Sequence, residues 1–240
     1  MYDVLELTKL VEKEVCKEVD GKFWRKYYRF RATHFYGGCA TADCSGCNLR
    51  CGYCWSSRVV WRNVGEFYSP EYVAKKLNEI SRENNFRYCR ISGGEPTLCK
   101  NHLLQVLRGI DKDLIFILET NGILLGFDEC FVKELSHFKN LHVRVSLKAA
   151  NPRMFEDLTK AQGKFFEFQL KALENLKKYG ISFHPAILIN FYTKKLLREL
   201  EEKLATIDKS LIHELEFETL ILFPHVKKNI KEYKIEKYLC

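Results

Sequence analysis

The sequence predicts an α/β protein: a partial, TIM-like (β/α)6 barrel preceded by a short N-terminal helical extension. Three observations predict it. From residue 28 onward, β-rich runs alternate with helical runs in the order of repeated βα units. Five or six such units in about 200 residues fall short of the roughly 250 of a complete eightfold barrel, so an open barrel is preferred over both a closed one and a doubly wound sheet. No repeat, low-complexity tract or Pro/Gly-rich linker divides the chain. The expected organisation is therefore an N-terminal extension over residues 1–27 and one core domain over 28–240.

The elements follow in order. Val4, Leu7, Leu10, Val11 and Val15 suggest an amphipathic helix in the extension. YRFRATHFY, residues 28–36, reads as the first strand, and a cysteine-rich loop follows it. Ser69 and Pro70 form a cap and first turn for a helix reaching about residue 84. Strands at 86–92, 114–119 and 141–147 then alternate with helices at 101–109 and 128–138. The stretch 165–179 places Phe166, Leu170, Leu173 and Leu176 on one face and stops at Gly180. A strand at 181–189, a helix at 195–204 and a sixth strand at 211–217 complete the barrel.

Composition sets the outer bounds. With 46% apolar and 29% charged residues, 13 Gly and 5 Pro, 240 residues make a compact globular chain, which excludes collagenous and disordered classes. No apolar run is long enough to span a bilayer, and the acidic, mixed N-terminus is unlike a signal peptide, so no membrane association and a cytoplasmic location are expected. The net charge of +8 is uneven: residues 1–21 carry −3, and residues 22–62 carry +7. The basic stretch surrounds the cysteines, so it either meets an anionic partner or holds an anionic cofactor.

Ten cysteines require an account. A cytosolic setting argues against disulfides, with hyperthermophile cytosols the exception, and the clustering points to a metal or a cluster. Cys47, Cys51 and Cys54 lie four and three residues apart in one short loop. Three thiolates leave one iron of a [4Fe–4S] cube open, whereas zinc would need a fourth ligand such as Cys44. Cys39 and Cys44, with Cys89 or Cys99, could form a second metal site, act as redox thiols or simply pack. Cys16, Cys130 and Cys240 suggest no special role.

CNLRCGYC, with Tyr53 just before the last cysteine, and the later Gly93-Gly94-Glu95-Pro96 together resemble the radical S-adenosylmethionine superfamily over roughly residues 28–220. The resemblance implies one [4Fe–4S] cluster on Cys47, Cys51 and Cys54, with S-adenosylmethionine chelated at the open iron. It also implies reductive cleavage of that cofactor to a 5′-deoxyadenosyl radical, which abstracts hydrogen from a substrate. Gly93 and Gly94 would let the backbone approach the methionyl group, Glu95 would accept from its amino group, and Tyr53 would face adenine. Ser146-Leu147-Lys148 resembles a DxK element with Ser for Asp, so Ser146 and Lys148 are candidate partners of the methionyl carboxylate. His184 resembles a position near the ribose, or is a structural histidine. Asn121, in ETNG, is a ligand contact or an Asx turn.

Among branches, the order of motifs most resembles the activators of glycyl-radical enzymes. A small-molecule or nucleoside substrate, or RNA, is the alternative. A flavodoxin or ferredoxin is the implied one-electron donor, with Arg50, Arg58 and Arg62 favouring cluster reduction or meeting that donor. Nucleic acid has no specific motif here.

Overall fold

The computed structural model describes residues 1–239, so Cys240 lies outside the described residues. The chain opens with α1 (Val4–Val15), capped by Asp3, whose carboxylate accepts from Leu5 N and Glu6 N. Val4, Thr8, Val11 and Val15 form its buried stripe, while Leu10, expected on that face, is exposed. Next comes a β-hairpin, β1 (Cys16–Val19) and β2 (Lys22–Thr33), which the sequence reading had not separated from the helix. Residue 27 falls inside β2, so no element boundary exists there.

The first barrel strand is β3 (Cys39–Cys44), antiparallel to β2 and fully buried. The expected strand at 28–36 is thus the outer neighbour of the real one. Beyond the cysteine loop lie α2 (Ser57–Val60), β4 (Glu66–Tyr68), which pairs with β2, and α3 (Pro70–Glu83). Ser69 and Pro70 start α3 as the sequence implies. The βα alternation continues through β5 (Tyr88–Gly93), α4 (Lys100–Gly109), β6 (Ile115–Thr120), α5 (Ile123–Phe127), α6 (Glu129–Leu135) and β7 (Leu141–Ser146). It ends with α7 (Pro152–Thr159), α8 (Phe166–Lys178), β8 (Ser182–Leu188), α9 (Lys194–Ile207), β9 (Glu216–Glu218) and α10 (Pro224–Tyr233).

Six strands, β3-β5-β6-β7-β8-β9, run parallel in that spatial order, and β2, β1 and β4 extend the β3 side. The barrel does not close, because among the described residues β9 pairs only with β8. The sixth strand is shorter than expected: Leu211 and Leu215 are buried, but they lie before it, where a 3-10 turn occupies Lys209–Ile212. Alternation sorts the two faces. Cys89 and Ile91 of β5, Phe116 and Leu118 of β6 and Val143 and Val145 of β7 pack under the helices. The intervening residues, Arg90, Ser92, Glu119 and Arg144 among them, line the concave face.

Two features anchor the N-terminal region. Cys16 and Cys99 are disulfide-bonded across a sequence separation of 83, which corrects the expectation against disulfides and the readings of Cys16 as a residue of no special role and of Cys99 as a candidate ligand of a second metal site. Burial beside α1 brings the two together: Val11, Val15, Leu98 and Cys99 form a small apolar cluster of their own. His102 of α4 is buried beneath β2, between Tyr27 Oη at 2.9 Å and the Phe23 carbonyl at 2.7 Å. The carbonyl can only accept, so Nδ1 carries the proton and Nε2 accepts from Tyr27. Burial holds this imidazole down to about 3.

Two predictions follow from these anchors. Loop closure over 83 residues makes the disulfide worth about 2–4 kcal/mol, so Cys16→Ser should lower the anaerobic melting temperature by roughly 5–15 °C. Intact-mass analysis under non-reducing conditions should find the wild-type bond and not the variant's. For His102, the folded pKa lies below the unfolded value of about 6.5. Its neutral form therefore stabilises the fold fully above about pH 6.5, and stability falls as pH drops from there toward about 3, by up to about 1.4 kcal/mol per pH unit. Urea unfolding near neutrality and near about pH 5 should show a smaller loss for His102→Gln than for wild type.

Candidate functional site

The cysteine loop leaves β3 at the C-terminal mouth of the sheet, the end at which βα loops converge. Cys47, Cys51 and Cys54 all carry free thiols there. The chain holds this loop from several sides. Asn48 Nδ2 donates to Thr8 Oγ1 of α1 (3.1 Å), Arg50 N to Tyr2 Oη (2.8 Å) and Gly52 N to the Leu158 carbonyl (2.9 Å). Burial pushes the Cys47 thiol up beyond the ordinary range and Cys51 up to about 11, and Lys148 opposes that rise at Cys51. At Cys54 burial again raises the pKa, while Ser56, Lys148 and Arg50 work against it. Thiols so placed ionise when a metal takes the proton's place.

This donor set fits an anionic iron–sulfur cluster. Three free thiols share one loop, two cations stand by to balance negative charge, and among the described residues no three His, Cys, Asp or Glu side chains converge to hold a single ion. Cys44, the fourth ligand that zinc would need, instead lies buried with its Sγ accepting from Arg25 Nη2 at 3.3 Å. Cys39 and Cys89 are likewise buried strand residues that pack.

The GGEP segment leaves β5 and is tied directly to the cysteine loop. Gly94 N donates to the Cys44 carbonyl and Glu95 N to the Gly46 carbonyl, both at 2.8 Å. A Cβ on Gly94 would sit 2.2 Å from the Gly46 oxygen, so this glycine is needed for contact between the two loops. Gly93 has φ +89, a conformation that favours glycine.

Glu95 is buried, and its carboxylate accepts four hydrogen bonds: from Thr97 N, Thr97 Oγ1 and Thr120 Oγ1 on one oxygen, and from Asn121 N on the other. Asn121 forms the Asx turn, accepting from Ile123 N at 3.0 Å, while its Nδ2 donates to Asn48 Oδ1 at 2.7 Å and lies 3.9 Å from Cys47 Sγ. Its side chain therefore braces the cysteine loop.

Across the mouth, Lys148 Nζ donates to Ser146 Oγ at 2.6 Å, which places the two polar ends together as alternation implies. Gln169 of α8 fixes this corner, accepting from Lys148 N and donating to the Asn121 and Ser146 carbonyls. The Tyr53 ring is buried 4.8 Å from Phe191, beside Tyr192, whose buried hydroxyl has no partner among the described residues. His184 lies deeper, paired in register with Arg144 and not with Ser146. Both its ring nitrogens are engaged, one with His142 and one with Glu216, each at 2.7 Å, as in the structural alternative.

The sequence reading missed the charged layer on the concave face. Arg90 pairs with Glu119 and donates to Thr41 Oγ1, while Ser92 and Tyr36 also donate to Glu119. Arg144 pairs with Glu216 and Glu218. Burial works against the charged form of Glu119, yet Arg90 and Arg144 hold it below the usual carboxylate range. The hydrogen bond from His184, joined by Arg144, brings Glu216 down to about 2. The available signal was charge at every second position of otherwise apolar strands, as in RIS, LET and HVRVS. Arg25 was missed as well: fully buried, it donates to the Ser45 and Glu95 carbonyls at 2.9 and 2.8 Å.

Replacing Gly94 by Ala should separate the two loops, costing about 2–3 kcal/mol and lowering iron retained after anaerobic reconstitution. Gly180→Ala, where a Cβ meets nothing within 4 Å but φ is +62, should cost about 1 kcal/mol and keep its iron. Equal iron loss in both variants would show that Gly94 has no special part in the site.

Residues 43–204 match the family model described as Radical SAM superfamily. A probable GTP 3',8-cyclase of Methanococcus vannielii is 36% identical over 115 residues, 47% of this chain and 37% of that protein. A cysteine-type anaerobic sulfatase-maturating enzyme of Clostridium perfringens is 29% identical over 168 residues, 63% of this chain and 43% of that one. The chain thus spans about two fifths of the length of these curated relatives. Streptococcus suis SuiB bound to S-adenosylmethionine shares the fold, with a TM-score of 0.59 at 14% identity over 83% of this chain and 44% of that one.

Proposed function

The chain belongs to the radical SAM superfamily, and from that premise we propose that it removes a hydrogen atom from a polar substrate seated on the concave face of its sheet. The observation that carries this reading is the charged layer built by Arg90, Glu119, Arg144 and Glu216 directly below the cysteine loop and Lys148. Cys47, Cys51 and Cys54 would hold the cluster, and the neighbouring mouth of the sheet would take S-adenosylmethionine. When bound, cluster and cofactor supply a one-electron cleavage that yields a carbon-centred radical.

The chain's own residues orient and protect. Lys148 and Ser146 would donate to the cofactor's carboxylate, and Lys148 and Arg50 would offset the cluster's negative charge. Tyr53, Phe191 and Tyr192 wall the mouth against water. Glu95 keeps the two loops joined, and its Oε2, which accepts from Asn121 N alone, keeps a lone pair for the cofactor's amino group. Arg58 and Arg62, exposed just past the loop, suit the approach of an acidic flavodoxin or ferredoxin.

Two relatives carry names for nucleotide cyclisation and sulfatase maturation. They support a small polar or peptidyl substrate over a glycyl-radical enzyme.

Anaerobic reconstitution should give about four iron and four sulfide per chain, and Ala at Cys47, Cys51 or Cys54 should remove most of both. Lys148→Met should keep its iron and weaken S-adenosylmethionine binding by about tenfold, the loss of one charge-assisted contact. Release of 5′-deoxyadenosine above the uncoupled background should then be compared for peptides, nucleotides and a glycyl-radical enzyme. Stimulation by the last, with a protein radical formed, would overturn the substrate reading in favour of activation.

A further inference from the structure

The charge on the concave face is unevenly placed. On β2, Arg29 and Arg31 both direct Nε to the same oxygen of Asp43, at 2.7 and 2.8 Å. Two guanidiniums thus share one fully buried carboxylate, and the Arg29 side chain keeps 45% of its surface exposed. Cross-strand register puts Arg29 opposite Asp43 and Asp43 opposite Ser92, so this group lies on the concave side.

At the far edge the ratio inverts. Arg144 stands between Glu216 and Glu218, 2.8 Å from each, and both carboxylate side chains remain 38% exposed. Between the two edges Arg90 and Glu119 cancel. The face is therefore a fixed dipole, in excess by one positive charge near β2 and by one negative charge at β9.

Resting on the reading that this face seats the substrate, we propose that the substrate is a polypeptide segment carrying an acidic group for Arg29 and Arg31 and a basic group for Glu216 and Glu218. Size decides against smaller zwitterions. From β2, which carries Arg29 and Arg31, to β9 there are six interstrand steps of about 4.8 Å, a contour of about 29 Å that curvature and inward-reaching side chains shorten. A free amino acid holds its two charges on neighbouring atoms and cannot meet both edges. A nucleoside triphosphate offers anions without a fixed cation, and would set them against Glu216 and Glu218. An extended chain rising about 3.3 Å per residue covers the full contour in about nine residues, and side chains reaching inward from both ends bring the spacing of opposite charges down to between about four and nine.

The test uses reconstituted holoprotein with S-adenosylmethionine and labelled peptides of equal length, followed by fluorescence anisotropy at low salt. One peptide carries a Glu and a Lys about four residues apart, a second carries two Glu, a third carries two Lys, and GTP serves as competitor. The dipolar peptide should bind at least about tenfold more tightly than either singly charged type, with GTP a weak competitor. Arg29→Glu should shift preference to the two-Lys peptide and Glu218→Lys to the two-Glu peptide. If the lysine variant does not fold, Glu218→Gln should still remove the penalty against the acidic peptide. Tightest binding by GTP or by a singly charged peptide, no peptide binding, or a ranking unchanged in the variants overturns the proposal. Each protein is also assayed for iron and for uncoupled 5′-deoxyadenosine. Loss of these in wild type would reject the enzyme reading itself, whereas their presence with an unmoved ranking rejects the dipolar substrate alone.

Discussion

A buried guanidinium holds the cofactor cradle together. Arg25, on β2, is 1% exposed and reaches the Ser45 carbonyl of the cysteine loop, the Glu95 carbonyl of the GGEP segment, Cys44 Sγ and Cys99 Sγ. Removing a charge from water costs several kcal/mol unless its hydrogens find acceptors. The acceptors here are carbonyls and sulfurs, supplied by just those segments whose relative position the site requires. Arginine suits the task better than lysine, because its planar fork spans two carbonyls at once and does not lose its proton on burial. Its charge also stands behind Glu95 and Cys44.

Seen from Arg25, the N-terminal region is part of the site. Val11 and Val15 pack so closely on Gly46 that a Cβ there would meet them at 2.8 and 2.9 Å. Tyr2 accepts from Arg50 N and Thr8 from Asn48, so the segment before α1 and its first half also support the cysteine loop. The disulfide from Cys16 ends at Cys99, four residues after Glu95. What reads in sequence as an extension is the back wall of the mouth.

Much of this was legible and some was not, for reasons that belong to particular residues. The strongly periodic stretch before Gly180 and the Ser69-Pro70 cap announce α8 and α3, because periodicity and capping are local properties. The true first strand, CATADC, has a single β-branched residue, and its cysteines invite a chemical reading, while the neighbouring YRFRATHFY has every mark of a strand. Short α5 and α7 begin after Gly122 and Asn151 and lack the length that makes periodicity visible. That the cysteine loop and GGEP meet, and that Ser146 and Lys148 share a side, was readable because strand-end position and alternation follow from spacing. Cross-strand partners such as Arg90 and Glu119 are set by register, which no local pattern reveals.

That charged layer is also the strongest sign that the concave face works on something polar. The interior of a closed βα barrel is filled by stacked Val, Ile and Leu. Here the equivalent positions carry Arg90, Glu119 and Arg144, two of them with under a tenth of their side chains exposed. Apolar residues of similar volume would stabilise the fold as well or better, since a buried ion pair rarely returns its desolvation energy. Stability alone gives no reason to keep these charges. An open barrel whose sixth strand has an unpaired edge leaves the charges reachable from one side, and the same strand alternation sets them one pleat below Ser146 and Lys148. The chain thus keeps a less stable interior in exchange for a polar surface beside the mouth that carries the cysteine loop.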